Sequence, residues 1–112
     1  MISKNDQLIG SFGVMGGQYQ AAGHAYVLSQ MIDFGLNPQQ ALNCPRVFPN
    51  NDLLDVENGF DNEVIDKLKS KGHRINHPVS PIGGGQMILI DNERDILIGA
   101  SDWRKDGLAI GY

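Results

Sequence analysis

The sequence predicts an α/β (α+β) fold, with strands and helices interleaved and at least one sheet held between layers. Three features carry that reading. A strand rich in Gly, Phe and Val at Gln7–Met15 runs almost directly into a long amphipathic helix. Two nearly continuous apolar runs near the C-terminal end flank a polar turn and read as a hairpin covered on both faces. Gly, Pro and Asn punctuate the chain between these segments at short, regular intervals.

Element by element, Gln7–Met15 alternates imperfectly, and its glycines permit a bend or a close backbone approach. No hairpin partner is predicted before it. After Gly16-Gly17, a helix is expected from about Gln18 to Phe34. Ala22, Tyr26, Val27 and Met31 fall at helical spacing, and Leu28, Ile32 and Phe34 widen the stripe. Gly35 suits the position just past its end. Asn37-Pro38 starts a second, short helix, since Asn caps well and Pro fits the first turn; Pro45 stops it after Cys44. Arg46–Phe48 reads as a short strand, Asn50–Asp52 as a turn and Leu53–Glu57 as another strand. Asp61 is a candidate N-cap for a helix to Lys71 with Val64, Ile65 and Leu68 on one face, ended by Gly72. His73–His77 reads as an edge strand before Pro78, and a Pro/Gly loop extends through Gly83–Gly85. Gln86–Ile90, a turn over Asp91–Asp95, and Ile96–Ala100 form the final hairpin. A sheet covered on both faces needs more layers than 112 residues supply, so the chain reads as half of a larger sandwich.

The 112 residues are expected to form one domain, close to the smallest size that buries a self-sufficient core. A net charge of −4 leaves no basic surplus to displace counterions, which argues against a nucleic-acid partner. Lys67, Lys69 and Lys71 cluster, but beside Glu63 and Asp66, and read as a solvated helix face. No apolar run approaches the roughly 20 residues that span a bilayer, so no membrane partner is expected. The opening residues lack a basic stretch followed by an apolar one, and so do not read as a signal peptide. Cys44 is the only cysteine, which excludes a disulfide framework; it reads as a small apolar residue at a helix end.

The local feature that points most directly to chemistry is Val14-Met15-Gly16-Gly17-Gln18 at the strand-to-helix junction. Paired glycines let two backbone N–H groups aim at one spot, and the helix N-terminus adds partial positive charge. Such a loop can stabilise an oxyanion or hold a phosphate, or it can be a tight turn and nothing more. It matches neither a Walker A loop nor GxGxxG spacing. His24 lies one turn into the helix, near enough to touch a substrate, though a packing or hydrogen-bonding role is preferred. His73 and His77 are four apart, but on an expected strand and without a third ligand, which argues against a metal site. Asp102, Arg104 and Asp106 suggest an ion-pair network or a fixed turn.

Taken in order, several segments resemble the C-terminal end of the γ-glutamyltransferase (γ-glutamyltranspeptidase) family. They are Phe12–Gly17, Gln20 with Gly23-His24, Met31–Ala41, Pro45-Arg46, Val56-Glu57 with Gly59-Phe60, and Gly72-His73. Gly85-Gln86, Gly99–Asp102, Arg104, Asp106-Gly107 and Gly111-Tyr112 complete the order. The resemblance implies the C-terminal portion of an N-terminal-nucleophile hydrolase, an αββα sandwich. It implies a self-cleaving precursor whose new N-terminal threonine takes a γ-glutamyl group, as from glutathione, and passes it to water or an amino acid. Gly16 and Gly17 then map onto the oxyanion hole, with Met15 and Gln18 as substrate-binding candidates. No metal and no cofactor are implied. In the family the threonine and the residues that grip the glutamyl group precede the Gly-Gly loop, in a region this chain lacks, so the chain alone is expected to be inactive. Its expected partners are the γ-glutamyl substrate, the upstream part of the same precursor and, in isolation, other copies of itself. Met-Gly-Gly-Gln resembles the acylase-like branch, although Ala21-Ala22 and Trp103 depart from that branch's usual residues.

Overall fold

The computed structural model describes residues 1–111; Tyr112, half of the Gly111-Tyr112 pair, lies outside the described residues. In chain order the elements are β1 (Ile2–Lys4), β2 (Gln7–Met15), α1 (Tyr19–Ile32), α2 (Pro38–Asn43), β3 (Val47–Asn50) and β4 (Leu53–Val56). α3 (Asn62–Ser70), β5 (Ile75–Asn76), β6 (Gly84–Asp91), β7 (Ile96–Ser101) and a 3₁₀ turn (Trp103–Lys105) follow. They form two compact units, residues 44–82 and the rest of the chain.

The larger unit is built on a four-stranded sheet of order β1-β2-β6-β7, antiparallel throughout. β1 corrects the expectation that β2 has no hairpin partner. Asn5 and Asp6 sit at φ 51° and 61°, the left-handed pair that a two-residue hairpin turn needs, and Asn and Asp tolerate it better than most residues. With no Gly in the turn and three residues in the strand, the signal was easily missed. β6 begins two residues before the expected strand: Gly84 and Gly85 pair with Met15 and Val14, although a glycine run argues locally for a loop.

Phe12, Val14, Met87 and Ala100 point to the face that α1 and α2 cover, where Val14, Met87, Ala100, Val27, Ala41 and Leu42 are at most 4% exposed. α1 meets the sheet along Tyr19, Gly23 and Val27, one turn apart. The expected stripe is therefore displaced: Ala22 is exposed, and Ile32 and Phe34 are 73% and 69% exposed. Hydropathy passes over Gly23, yet it is the point of closest approach. A Cβ there would lie 2.6 Å from both Val14 Cγ1 and Tyr19 Cε1. Met15, Ile88 and Leu97 point to the opposite face and remain 46%, 51% and 68% exposed. Among the described residues the helices thus cover one face of the sheet, while Gly107 and Ala109 lie over Ser101, Gln86 and Gly99 on the other and leave much of it open.

α2 carries the expected cap in its full reciprocal form. Asn37 Oδ1 accepts from Gln40 N–H at 2.9 Å, while Gln40 Oε1 accepts from Asn37 N–H at 3.0 Å. Its Gln39 then bonds the backbone of Ser101 twice, Oε1 accepting from N–H at 3.1 Å and Nε2 donating to the carbonyl at 2.9 Å. One carboxamide so stands in for a neighbouring strand at the end of β7. The turn between β6 and β7 forms where expected, with Asp91 Oδ1 accepting from the N–H groups of Glu93 and Arg94.

Asp102, Arg104 and Asp106 resolve into both readings that the sequence left open. Asp102 and Arg104 are a buried ion pair at 3.1 Å, and Asp106 ends the 3₁₀ turn at φ 50°. Asp102 also accepts from the N–H groups of Gly85 at 2.9 Å and Arg104 at 3.0 Å, while Arg104 Nη1 donates to Leu42 O at 2.8 Å.

In the smaller unit, β3 and β4 are antiparallel and β5 adds in parallel at the edge of the sheet. Only Ile75 and Asn76 of the expected strand His73–His77 are extended, because His73 N–H still closes the end of α3 by bonding Leu68 O. Asp61 occupies the N-cap position but does not cap through its side chain. Glu57 joins the unit's two chain ends, accepting from Arg46 N–H at 2.9 Å and Ile82 N–H at 2.7 Å. The fully buried Arg46 donates from Nη1 to Ile82 O at 2.8 Å. Asp55, itself buried, accepts from Asn50 and Asn76 and so ties all three strands.

Removing one partner of the Asp102–Arg104 pair strands a buried charge. Asp102→Ala is expected to lower unfolding free energy by about 3–5 kcal/mol, read by chemical denaturation followed by circular dichroism.

Candidate functional site

β2 and α1 are joined by a three-residue reversal, and its geometry follows from what glycine alone can do. Gly16 lies at φ 130° and Gly17 at φ 59°, both in the region that L side chains avoid. Gly16 has a second reason to lack a side chain, because a Cβ would meet Gly83 Cα at 2.9 Å. Around Gly17 there is nothing within 4 Å of that position, so the loop is open to solvent on that side. The reversal closes on itself through Tyr19 N–H to Gly16 O at 3.1 Å and Gln20 N–H to Gly17 O at 3.2 Å.

The carbonyls of Gly16 and Gly17 are thus used, whereas the N–H groups of Gly17 and Gln18 bond to no described residue. Both residues are exposed, and both precede the first full turn of α1, where orphan donors and the helix dipole give positive potential. α1 has no acidic side chain in its first turn, and Gln18 makes no side-chain cap, so nothing in the helix itself neutralises that end. An anionic oxygen placed there meets donors that need no rearrangement to receive it.

Of the residues expected at the site, Gly16, Gly17 and Gln18 form the reversal itself. Met15 is the last residue of β2, half-exposed on the open face of the sheet. His24 is brought to the same place, but by way of the backbone. Its Nε2 accepts from Val14 N–H at 3.3 Å, its Nδ1 donates to Gln20 O at 2.6 Å, and its ring lies 4.9 Å from that of Phe12. The preference for a hydrogen-bonding role over substrate contact agrees with this geometry. Val14 is 4% exposed, and an unmet N–H at such a position costs about 1–3 kcal/mol.

His73 and His77 do not converge. His73 closes α3, and the His77 ring bonds Val56 O at 3.0 Å. Among the described residues no group of three or more His, Cys, Asp or Glu side chains could hold a metal ion. Gly83 was missed as a site residue: it backs directly onto Gly16, and with φ 65° it too takes a glycine-favoured turn. The signal available for it was the Gly83–Gly85 run, which does not say which glycine meets which.

Comparison with known proteins agrees with the architecture. The family model described as gamma-glutamyltranspeptidase matches residues 1–112. The glutathione hydrolase-like YwrD proenzyme of Bacillus subtilis (strain 168) is 32% identical over 108 residues, covering 89% of this chain and 21% of that protein. Cephalosporin acylase from Bacillus halodurans superposes with a TM-score of 0.86 at 40% identity, over 98% of this chain and 22% of that one. Gamma-glutamyltranspeptidase from Pseudomonas nitroreducens shares the fold, with a TM-score of 0.84 at 23% identity over 100% of this chain and 58% of that one. The chain spans about a fifth of the length of the curated relatives it matches, 21% and 19% for the two from Bacillus subtilis.

The two glycines of the reversal are not equivalent. Gly17→Ala adds a side chain into open space and is expected to cost about 1–2 kcal/mol of conformational strain. Gly16→Ala adds a backbone collision to that strain and is expected to cost more, so paired urea melts will rank Gly16→Ala below Gly17→Ala.

Proposed function

The chain belongs to the gamma-glutamyltranspeptidase family, and from that premise we propose that it forms the C-terminal, oxyanion-holding part of an acyl-transfer enzyme. One observation carries the reading: two N–H groups, of Gly17 and Gln18, that bond to no described residue at an exposed strand-to-helix reversal. In this reading an upstream threonine attacks the acyl carbonyl of the donor, and the developing oxyanion settles against the reversal. The donors are held by backbone that the glycine φ values dictate, so they stabilise charge that exists only in the transition state. The intermediate collapses by breaking the amide C–N bond, the donor's amine leaves with a proton, and the acyl-enzyme then passes its acyl group to water or to another amine. Met15 and Gln18 flank the loop and would contact the acyl group as it enters.

The names of the relatives supply the donor class. Glutathione hydrolase points to a γ-glutamyl amide. A second donor, an N-acylated cephalosporin, is favoured by one specific observation: the cephalosporin acylase is 40% identical to this chain, whereas the gamma-glutamyltranspeptidase from Pseudomonas nitroreducens is 23% identical. Both donors present an amide carbonyl to the same loop, and they differ in the acyl group and in the amine that leaves.

Hydrolysis of a chromogenic γ-glutamyl anilide and of an N-acylated cephalosporin, by this chain alone and by the chain with its upstream region, separates these readings. Activity is expected only in the longer protein, with self-cleavage just before a threonine. Gly17→Val in that protein is expected to lower turnover about 10²–10³-fold, the loss typical of one disturbed oxyanion donor; unchanged turnover would remove the role assigned to the loop.

The open sheet face bearing Met15, Ile88 and Leu97 is, in the same reading, the surface that the upstream part of the precursor covers. Expressed alone, the chain is expected to associate through it. Sedimentation velocity showing a clean monomer at micromolar concentration would count against this.

A further inference from the structure

Resting on the oxyanion reading of Gly16–Gly17, we infer that His24 is the positioning residue of that loop: its imidazole fastens the end of β2 to the first turn of α1. Both ring nitrogens are committed. Nδ1 is 2.6 Å from Gln20 O, which can only accept, so Nδ1 carries a proton. Nε2 is 3.3 Å from Val14 N, which can only donate, so Nε2 is bare. Only the neutral tautomer protonated at Nδ1 satisfies both bonds, and its ring is steadied by Phe12 at 4.9 Å.

The position of Val14 gives this tether its consequence. Pairing between β1 and β2 ends at Ile2 and Gly10, so β1 does not reach Val14. His24 supplies the acceptor that a neighbouring strand would otherwise offer at this buried residue. Two residues later the chain enters the reversal, and four residues beyond Gly16 it reaches Gln20, the other atom that His24 holds. The loop is therefore strung between two posts joined by one imidazole. Gly23, beside His24, lets helix and strand come close enough for the bond to form.

The direction of a donor N–H, more than its mere presence, decides how well it meets an oxyanion. Releasing the tether lets the strand end and the helix start shift independently, which tilts the donors between them. That loss falls on the transition state and leaves ground-state binding of the donor nearly unchanged.

The test uses the precursor that carries this chain, assayed with the γ-glutamyl anilide and the N-acylated cephalosporin on folded, self-processed protein. His24→Leu keeps an apolar side chain against Phe12 but offers no acceptor; His24→Gln offers Oε1 at similar reach. The leucine variant is expected to lose on the order of tenfold in kcat, short of the ~10²–10³-fold of a lost donor, with KM little changed. The glutamine variant is expected to recover most of that loss. Equal activity of His24→Leu and wild type, or equal impairment of the leucine and glutamine variants, would overturn the inference. Gly17→Val run alongside separates the causes. If it is crippled while His24→Leu is not, only the positioning role fails; if it is fully active, the oxyanion reading fails first. A long-range ¹H–¹⁵N correlation spectrum of the wild-type chain needs no variant and no active assay. The Nδ1–H tautomer is expected, and an Nε2–H tautomer or an imidazolium at His24 would overturn the tether.

Discussion

A carboxylate withdrawn from water must find its solvation inside the protein. The donors to Asp102 include Gly85 N–H, Arg104 N–H and Arg104 Nη1, all within 3.1 Å. Because Arg104 also donates to Leu42 O, one buried charge pair ties the start of β6, the 3₁₀ turn and the end of α2. The dependence runs further along the ladder. Gly85 pairs with Val14 and Gly84 with Met15, so the strand that Asp102 anchors is the neighbour of the strand that presents the reversal. The carboxylate lies far from Gly16 and Gly17 in sequence, yet it holds the strand that pairs with the one delivering them.

If the reversal acts as proposed, it shows why a functional loop can look like a defect. At the start of α2 the exposed helix end is closed by side chains, through the reciprocal Asn37–Gln40 cap. At the start of α1 neither a side-chain cap nor an acidic first turn is present, and the N–H groups of Gly17 and Gln18 are left over. The strain of positive φ is carried by glycines, which bear it cheaply, and the position of the loop is set by His24 on one side and by Gly83 on the other. Donors that are rigid and unclaimed can serve a transient charge; donors that are capped cannot. The half-covered sheet has the same character. Ile88 and Leu97 are apolar yet 51% and 68% exposed, in keeping with a segment that is about a fifth of the length of its relatives.

Much of the fold was legible because it rests on local rules. The Asn37-Pro38 start, Gly35 at φ 68°, the Asp91–Asp95 turn and the apolar hairpin all depend on residues within a few positions of one another. What was misread depends on partners distant in sequence. Gly84 and Gly85 are poor strand formers locally, and they are extended because Met15 and Val14 lie opposite. The buried face of α1 centres on Gly23, which no hydropathy count would choose, because closeness to Val14 matters there more than side-chain area. β1 escaped notice because a three-residue strand has too little pattern to read.

By itself, then, the sequence determined the class of fold, the order of its elements, the family they resemble and the glycine pair at the junction of β2 and α1. These follow from backbone conformational limits and hydrophobic periodicity, which act within a turn or a strand. The tertiary structure alone decided that Gly16 backs onto Gly83, that Asp102 and Arg104 bury as a pair, and that both nitrogens of His24 are taken up by backbone. Those facts turn on distances of a few ångströms between residues far apart in sequence, as between Gly16 and Gly83. Such distances are set when whole elements pack, and no local preference encodes them.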